Sequence, residues 1–199
     1  MHNRYQSWYS VGISSVTAIS VGFAIATANL LIQSEPAIFQ EKSYANAAPD
    51  PLFTSVLEEI RRELPDGWSM RLPAAVPSTE ELYPYVRSAN NRLTVNLSIS
   101  PDCPTSQNPA SCTIGILGVS GVSEDFPPTG DNLSLVDLGN RVQGYHFTRG
   151  DGDEMNRLVV WQQDGLIYGA VTMANVLSQE ELMAIASSMA TEPPITSEE

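Results

Sequence analysis

In this 199-residue chain, a short acidic segment is one candidate for a chemically functional site. Asp151, Asp153 and Glu154 stand close together in a glycine-containing turn, and carboxylates at alternate loop positions suit a hard cation such as Ca²⁺. However, Met155 occupies the place where an EF-hand loop would have its next oxygen ligand. A solvated hairpin loop is therefore the favoured interpretation, and the three acidic residues stay candidate metal ligands.

His146 is the second candidate, as the only histidine besides His2. It lies in a strand-like segment, where a packed or edge histidine is more common than a general base. The chain has no G-x-S-x-G, H-E-x-x-H, phosphate-binding loop or dinucleotide fingerprint. A Ser–His–Asp triad assembled from distant positions stays open, because the order of triad residues along a chain is free. The sequence predicts no catalytic residue and no cofactor.

Two cysteines, Cys103 and Cys112, lie in a turn-rich loop between two strand-like segments. In an oxidising compartment the pair would close the neck of a hairpin as a disulfide. Metal binding is the alternative, but two thiols without a nearby histidine make at most half of a zinc site. We therefore predict a disulfide, which contributes about 2.7 kcal/mol on the chain-entropy model, less any strain.

Six aromatic residues could line a ligand groove, although packing in the core or across strands is the default for most of them: Trp68, Tyr83, Tyr85, Tyr145, Trp161 and Tyr168. Tyr83 and Tyr85 flank Pro84 in a segment that predicts a loop. Because recognition residues are often carried on loops, we name Tyr83 and Tyr85 as a candidate recognition surface.

The charge balance limits the partners of this chain. It has 10 Lys+Arg against 23 Asp+Glu, for a net charge of −13. Nucleic-acid binding is excluded, because neutralising phosphates needs clustered basic residues and the chain has a single lysine, Lys42. The arginines are expected to pair with the abundant carboxylates of the same chain; they include Arg71, Arg87, Arg92, Arg141, Arg149 and Arg157.

The N-terminal region carries an export signal. An apolar run, Val11 to Ile32, follows Arg4 and precedes an A-x-A site that predicts cleavage after Ala47. Its 22 residues are also enough to span a bilayer, so residues 1–48 are either a signal peptide or an N-terminal membrane anchor with a linker. In both cases the acidic body is exported to the periplasm or the cell exterior, or held outside the cytoplasm on the membrane.

The elements that must position these candidates form one globular domain over residues 49–190, followed by a disordered acidic tail over 191–199. Asp50 and Pro51 begin a first helix, and Ser178 with Glu181 makes a capping box for a second. Asp164-Gly165 predicts a two-residue hairpin turn that places Trp161 opposite Tyr168. The expected strands are residues 67–72, 93–100, 113–119, 133–137, 141–148, 157–163 and 166–173.

This element order predicts an α+β fold. We expect an antiparallel sheet of about six or seven short strands, with the N-terminal and C-terminal helices packed on one face. A body of roughly 150 residues is large enough to bury such a core without a metal.

Two resemblances support export. Trp161-x-x-x-Gly165-x-x-Tyr168, with Ser178-x-Glu180-Glu181-Leu182 after it, resembles the hairpin and helix of an extracytoplasmic domain of unknown function. Gram-positive anti-sigma-like and sporulation-related membrane proteins carry that domain. Leu64-Pro65-x-Gly67-Trp68 and the cysteine pair resemble an exported cyanobacterial protein family of unknown function. The resemblances imply a domain outside the cytoplasm and bring no catalytic residues with them.

From the export signal and the missing catalytic set we expect a non-enzymatic binding or interaction module of the cell envelope. Two alternatives stay open: a carrier of a small apolar ligand held between sheet and helices, and a hydrolase with a scattered site that includes His146. The partner would be an envelope protein or a small apolar ligand. Membrane contact would come only through an uncleaved N-terminal segment.

Overall fold

A computed structural model describes residues 48–130, 132–150, 155–173 and 176–197. The chain divides into two compact units, residues 1–42 and 43–199, and every described residue belongs to the second. The predicted signal peptide or anchor and its cleavage site lie outside the described residues. Within the part that is described, no helix has both the length and the apolar character needed to cross a bilayer.

The two predicted helices are present. The Asp50 carboxylate accepts a hydrogen bond from the Leu52 N–H at 2.9 Å and starts a 3₁₀ segment, Pro51–Val56. This segment continues as α1, Leu57–Glu63. The second helix, α2, spans Gln179–Thr191 and begins at the predicted capping box. In that box the Ser178 hydroxyl accepts from the Glu181 N–H at 3.2 Å, and the Glu181 carboxylate accepts from the Ser178 N–H at 2.8 Å.

The strands confirm the α+β class and the antiparallel sheet. Their bounds are β1 Ser69–Met70, β2 Tyr83–Ala89, β3 Arg92–Ser98, β4 Thr113–Gly121, β5 Ser134–Asp137, β6 Gln143–Arg149, β7 Asn156–Gln163, β8 Leu166–Met173 and β9 Ile195–Thr196. In the described ranges seven of them form the main sheet, in the order β2-β3-β4-β8-β7-β6-β5, and each neighbouring pair is antiparallel. Strands β1 and β9 form a separate antiparallel pair.

The prediction of a loop around Tyr83 is wrong. This segment forms the edge strand β2. An edge strand tolerates Pro84, because proline lacks only a donor that an edge does not need. Asn90 and Asn91 both have positive φ, at 53° and 58°, and make the tight turn into β3. Two consecutive residues with positive φ are typical of a hairpin turn. Pro84 favoured a loop over a strand in the sequence, so this hairpin was not predicted.

The predicted disordered tail over 191–199 is also wrong in part. Helix α2 reaches Thr191, and Ile195 pairs with Met70 in the two-stranded sheet. Ile195 is buried among the core residues, so burial of this side chain offsets the entropy of ordering the segment.

The predicted hairpin register is confirmed. Trp161 pairs with Tyr168 across the turn at Asp164-Gly165, and both rings are fully buried. One cluster of buried apolar residues joins alternate strand positions to both helical regions. It includes Phe53, Ile60, Leu93, Val95, Leu97, Leu117, Val119, Val159, Trp161, Tyr168, Leu182 and Ile185.

Candidate functional site

A groove of about 540 Å³ opens where one end of the main sheet meets the start of α2. Its walls come from the connection before β2, from the ends of β3 and β4 that meet the cysteine loop, and from the residues that lead into α2. We call it the end groove; it is lined by Val76, Pro77, Ser78, Thr79, Glu80, Leu82, Leu97, Ile99, Ile114, Gly115, Val176, Leu177 and Glu181. A cavity of this size is typical of a small-molecule site.

The end groove leaves large apolar side chains open to solvent. Leu82 and Leu97 are buried, whereas Ile99 is 45% exposed and Val176 is 38% exposed. Soluble proteins normally cover contiguous apolar surface, and large side chains left exposed beside a groove often mark a binding site. These two residues are therefore the most exposed apolar side chains of the site.

The polar rim of the end groove is acidic. Glu80 and Glu181 line it, and none of the described lining residues is a lysine, arginine or histidine. Hydrogen bonds from the backbone N–H and then the hydroxyl of Ser178 lower the pKa of Glu181, which favours its charged form. A ligand with an apolar body and no negative charge fits this rim, because an anion would be repelled.

The predicted disulfide between Cys103 and Cys112 is present and forms part of the same end of the domain. The loop that it closes is also held by Thr113, whose hydroxyl donates to the Pro109 carbonyl at 2.9 Å. Because β3 leads into this loop and β4 follows it, the crosslink ties together the strand ends that form one wall of the end groove.

Tyr83 and Tyr85, the predicted recognition surface, both lie in β2. Tyr85 is 9% exposed, and its hydroxyl is 2.8 Å from that of Thr113, so its ring serves mainly in packing. Tyr83 is half-buried. Its hydrogen bond to the Glu81 carboxylate, then burial and the charge of Glu81, raise the pKa of Tyr83. Neither tyrosine lines the end groove.

His146 lies in β6 opposite Val159 and is 7% exposed. Its buried Nε2 has no hydrogen-bond partner among the described residues. Burial and then the positive charge of Arg157 lower the pKa of His146, so the neutral imidazole is favoured. This environment is that of a packed histidine, and the structure does not bring His146 to the end groove.

The candidate metal ligands Asp151, Asp153 and Glu154 lie outside the described residues. Within residues 48–130, 132–150, 155–173 and 176–197, no group of three or more His, Cys, Asp or Glu side chains is arranged to hold a metal ion.

The other candidate aromatic residues have structural contacts. The Trp161 indole donates to the Gln163 side-chain oxygen at 3.2 Å, and the Tyr168 hydroxyl lies 2.9 Å from that of Ser69. The Tyr145 ring meets Phe126 edge to face, with centroids 5.7 Å apart. Trp68 is half-buried against the core.

Sequence reasoning missed the end groove, because its lining comes from segments far apart in the chain. One local signal was available: Val176 is an apolar residue that falls outside every predicted strand and helix. Ile99 was expected to continue the strand over 93–100, whereas β3 ends at Ser98 and leaves Ile99 exposed. Comparison of this chain with protein-family models, with curated proteins and with solved structures finds no match. The two resemblances noted in the sequence therefore stay predictions.

Proposed function

We propose that this protein is an exported, non-enzymatic binding module that holds a small apolar ligand, neutral or cationic, in the end groove. The observation that carries the proposal is the groove itself: about 540 Å³, with Ile99 and Val176 exposed at its mouth. Of the functions expected from the sequence, the carrier of a small apolar ligand accounts best for this geometry.

We also infer that the helical regions pack on the same face of the main sheet. Support comes from the single buried cluster, in which Phe53 and Ile60 from the N-terminal region join Leu182 and Ile185 of α2. Strand residues enter this cluster at alternate positions, as one face of a sheet requires. On this arrangement the end groove is the unfilled end of the layer between sheet and helices.

Export is part of the proposal. The disulfide between Cys103 and Cys112 is compatible with an oxidising compartment, where such bonds persist. The apolar run after Arg4 supports delivery to the periplasm or the cell exterior, either free or held by an uncleaved anchor. The protein would therefore bind its ligand in the cell envelope or outside the cell.

A hydrolase centred on His146 has less support. A general base needs access to substrate, and His146 is buried beside a cation that disfavours its protonated form. The binding proposal does not require this residue.

The test is titration of the purified domain with N-phenyl-1-naphthylamine, a neutral apolar probe that fluoresces on leaving water. Ile99→Asp places a charge at the mouth of the end groove and should weaken binding by about tenfold or more, because apolar contact is lost and charge must be desolvated. Val122→Asp is the matched control, since Val122 is 59% exposed and does not line the groove.

Circular dichroism should show that both variants stay folded, because both positions are accessible to solvent. Saturable binding to the wild type that Ile99→Asp alone weakens would support the proposal. No binding by the wild type, or equal effects of the two substitutions, would overturn it.

A further inference from the structure

The main sheet separates charge in an unexpected way for a protein with a net charge of −13. Its seven strands contain one acidic residue, Asp137, which lies on the outermost strand β5. They contain Arg87, Arg92 and Arg149 at positions that alternate with the core residues. We call this second side of the sheet the outer face.

Within the described residues, these arginines do not follow the expectation that arginine pairs with the chain's own acids. Arg71 fits it, because its guanidinium lies 2.9 Å from the Asp164 carboxylate. Arg87, Arg92 and Arg149, in contrast, form no ion pair with any residue of the described ranges. Among the described strand residues, the outer face therefore carries more positive than negative charge, while the net charge of the chain is −13.

Two of these charges stand side by side at the β2–β3 hairpin. Arg87 is opposite Thr94 and Arg92 is opposite Ala89, so the arginines are diagonal neighbours on one face. They line a hollow of about 310 Å³ with Ala89, Asn90 and Thr94, which we call the arginine hollow. Like charges so placed repel each other, and a bound anion would relieve the repulsion. The Arg87 guanidinium lies 5.5 Å from the centre of the Tyr85 ring, a contact that helps to orient it.

A largely apolar groove of about 320 Å³ continues from the arginine hollow across the outer face. Arg92 and Thr94 line both, and Arg149 also lines the groove. We call it the outer groove. Its floor includes Gly118 and Gly169, which pair across β4 and β8 and leave room between larger neighbours. Ile116, Ile167, Val160 and Val171 are half-buried around them. From β3 to β7 the outer groove crosses three strand spacings, or about 14 Å.

We propose that the outer face binds a single-chain anionic amphiphile, a fatty-acid carboxylate. The carboxylate lies in the arginine hollow, where Arg87 and Arg92 offer the planar donors that carboxylates accept. The alkyl chain lies in the outer groove over Gly118 and Gly169. This site is chemically the opposite of the end groove, whose rim carries Glu80 and Glu181, and it goes beyond the function proposed above.

The test is calorimetric titration of the purified protein with decanoate, kept below its micelle concentration, and with 1-decanol as the uncharged counterpart. The wild type should bind decanoate and bind decanol at least about tenfold more weakly, because only decanoate engages the arginines. The double variant Arg87→Gln with Arg92→Gln should lose about tenfold or more in decanoate affinity. Arg141→Gln is the matched control, since Arg141 is an exposed arginine that lines neither the hollow nor the outer groove.

A second variant tests the alkyl part. A Cβ on Gly169 would lie 3.4 Å from Val160 Cγ1, an ordinary contact, so Gly169→Val should fold and fill the outer groove. It should weaken decanoate binding and leave N-phenyl-1-naphthylamine binding at the end groove unchanged. Conversely, Ile99→Asp should leave decanoate binding unchanged, which separates failure of this proposal from failure of the proposed function.

Four outcomes would overturn the proposal: no decanoate binding, equal binding of decanol, equal losses in the Arg141 control, or loss of decanoate binding in Ile99→Asp. Two further measurements test other occupants of the outer face: sedimentation detects a second copy of the chain, and vesicle flotation detects binding to a membrane. A dimer abolished by the Arg87 and Arg92 substitutions would assign the outer face to a second copy. Binding to phosphatidylglycerol vesicles without binding of monomeric decanoate would assign it to a membrane surface.

Discussion

Trp161 and Tyr168 stack across the β7–β8 hairpin, with ring centroids 5.7 Å apart and ring planes inclined by 19°. Both rings are fully buried, and the Tyr168 hydroxyl reaches Ser69, whose hydroxyl is 2.9 Å away and whose carbonyl accepts at 3.1 Å. The pair therefore fixes the register of the central hairpin and connects the main sheet to β1.

Removal of this hydroxyl should be measurable. Tyr168→Phe keeps the ring and deletes two hydrogen-bond contacts to Ser69, so unfolding free energy should fall by about 1 to 2 kcal/mol. Urea unfolding followed by tryptophan fluorescence measures the change. When Ser69→Ala is already present, Tyr168→Phe should lower the unfolding free energy by less, because the hydrogen bond between the two hydroxyls is already lost. Additive losses in the double variant would show that the two side chains are not coupled.

The hairpin that carries Trp161 and Tyr168 could be predicted from the sequence, because residues close together in the chain determine it. Asp164-Gly165 specifies a tight turn, and the turn then sets every cross-strand pair. Strand β2 could not be predicted in the same way, since Pro84 reads as a loop signal and is tolerated only because β2 is an edge. An edge position is a property of the whole sheet.

The capping box at the start of α2 gives a second prediction. Ser178→Ala removes the hydroxyl that accepts from the Glu181 N–H, and it should lower unfolding free energy by about 1 kcal/mol. Ser187→Ala, inside the same helix, is the control and should cost little, because alanine favours the helix interior. Thermal unfolding compares the two. Equal losses would mean that the cap is not the stabilising contact.

The end groove shows why the site was harder to predict than the fold. Leu82, Leu97 and Val176 belong to three segments that no sequence period connects, and they converge only when β3, β4 and the start of α2 are assembled. The arginines of the outer face could not be predicted for a different reason. The composition indicates an acidic chain, and which face carries Arg87 and Arg92 depends on the strand register.

His146 should make stability depend on pH. Burial lowers its pKa in the folded state, so the unfolded chain binds the proton more readily. Its contribution is complete above about pH 6.5, the pKa of an unperturbed histidine, and it is lost as the pH falls from there toward the lower folded value. Unfolding free energy should therefore fall between pH 8 and pH 5.5, by at most about 1.4 kcal/mol per pH unit from this group.

The variant His146→Gln isolates that contribution. It removes the titrating group, so the decline over this pH range should be smaller than in the wild type, whatever its effect on absolute stability. Urea unfolding at a series of pH values gives both curves. Parallel curves would indicate that His146 binds its proton equally well folded and unfolded.

The disulfide should support both stability and the end groove. Replacing Cys103 and Cys112 by serine should cost about 2 to 3 kcal/mol, because the unfolded chain regains the freedom that the crosslink removes. The same variant should bind N-phenyl-1-naphthylamine more weakly, since the crosslink ties the strand ends that carry Leu97 and Ile114. Urea unfolding and probe titration measure the two effects, and reductant should change the wild type but not the variant. If reduction lowered stability and left probe affinity untouched, the crosslink would stabilise the domain without shaping the end groove.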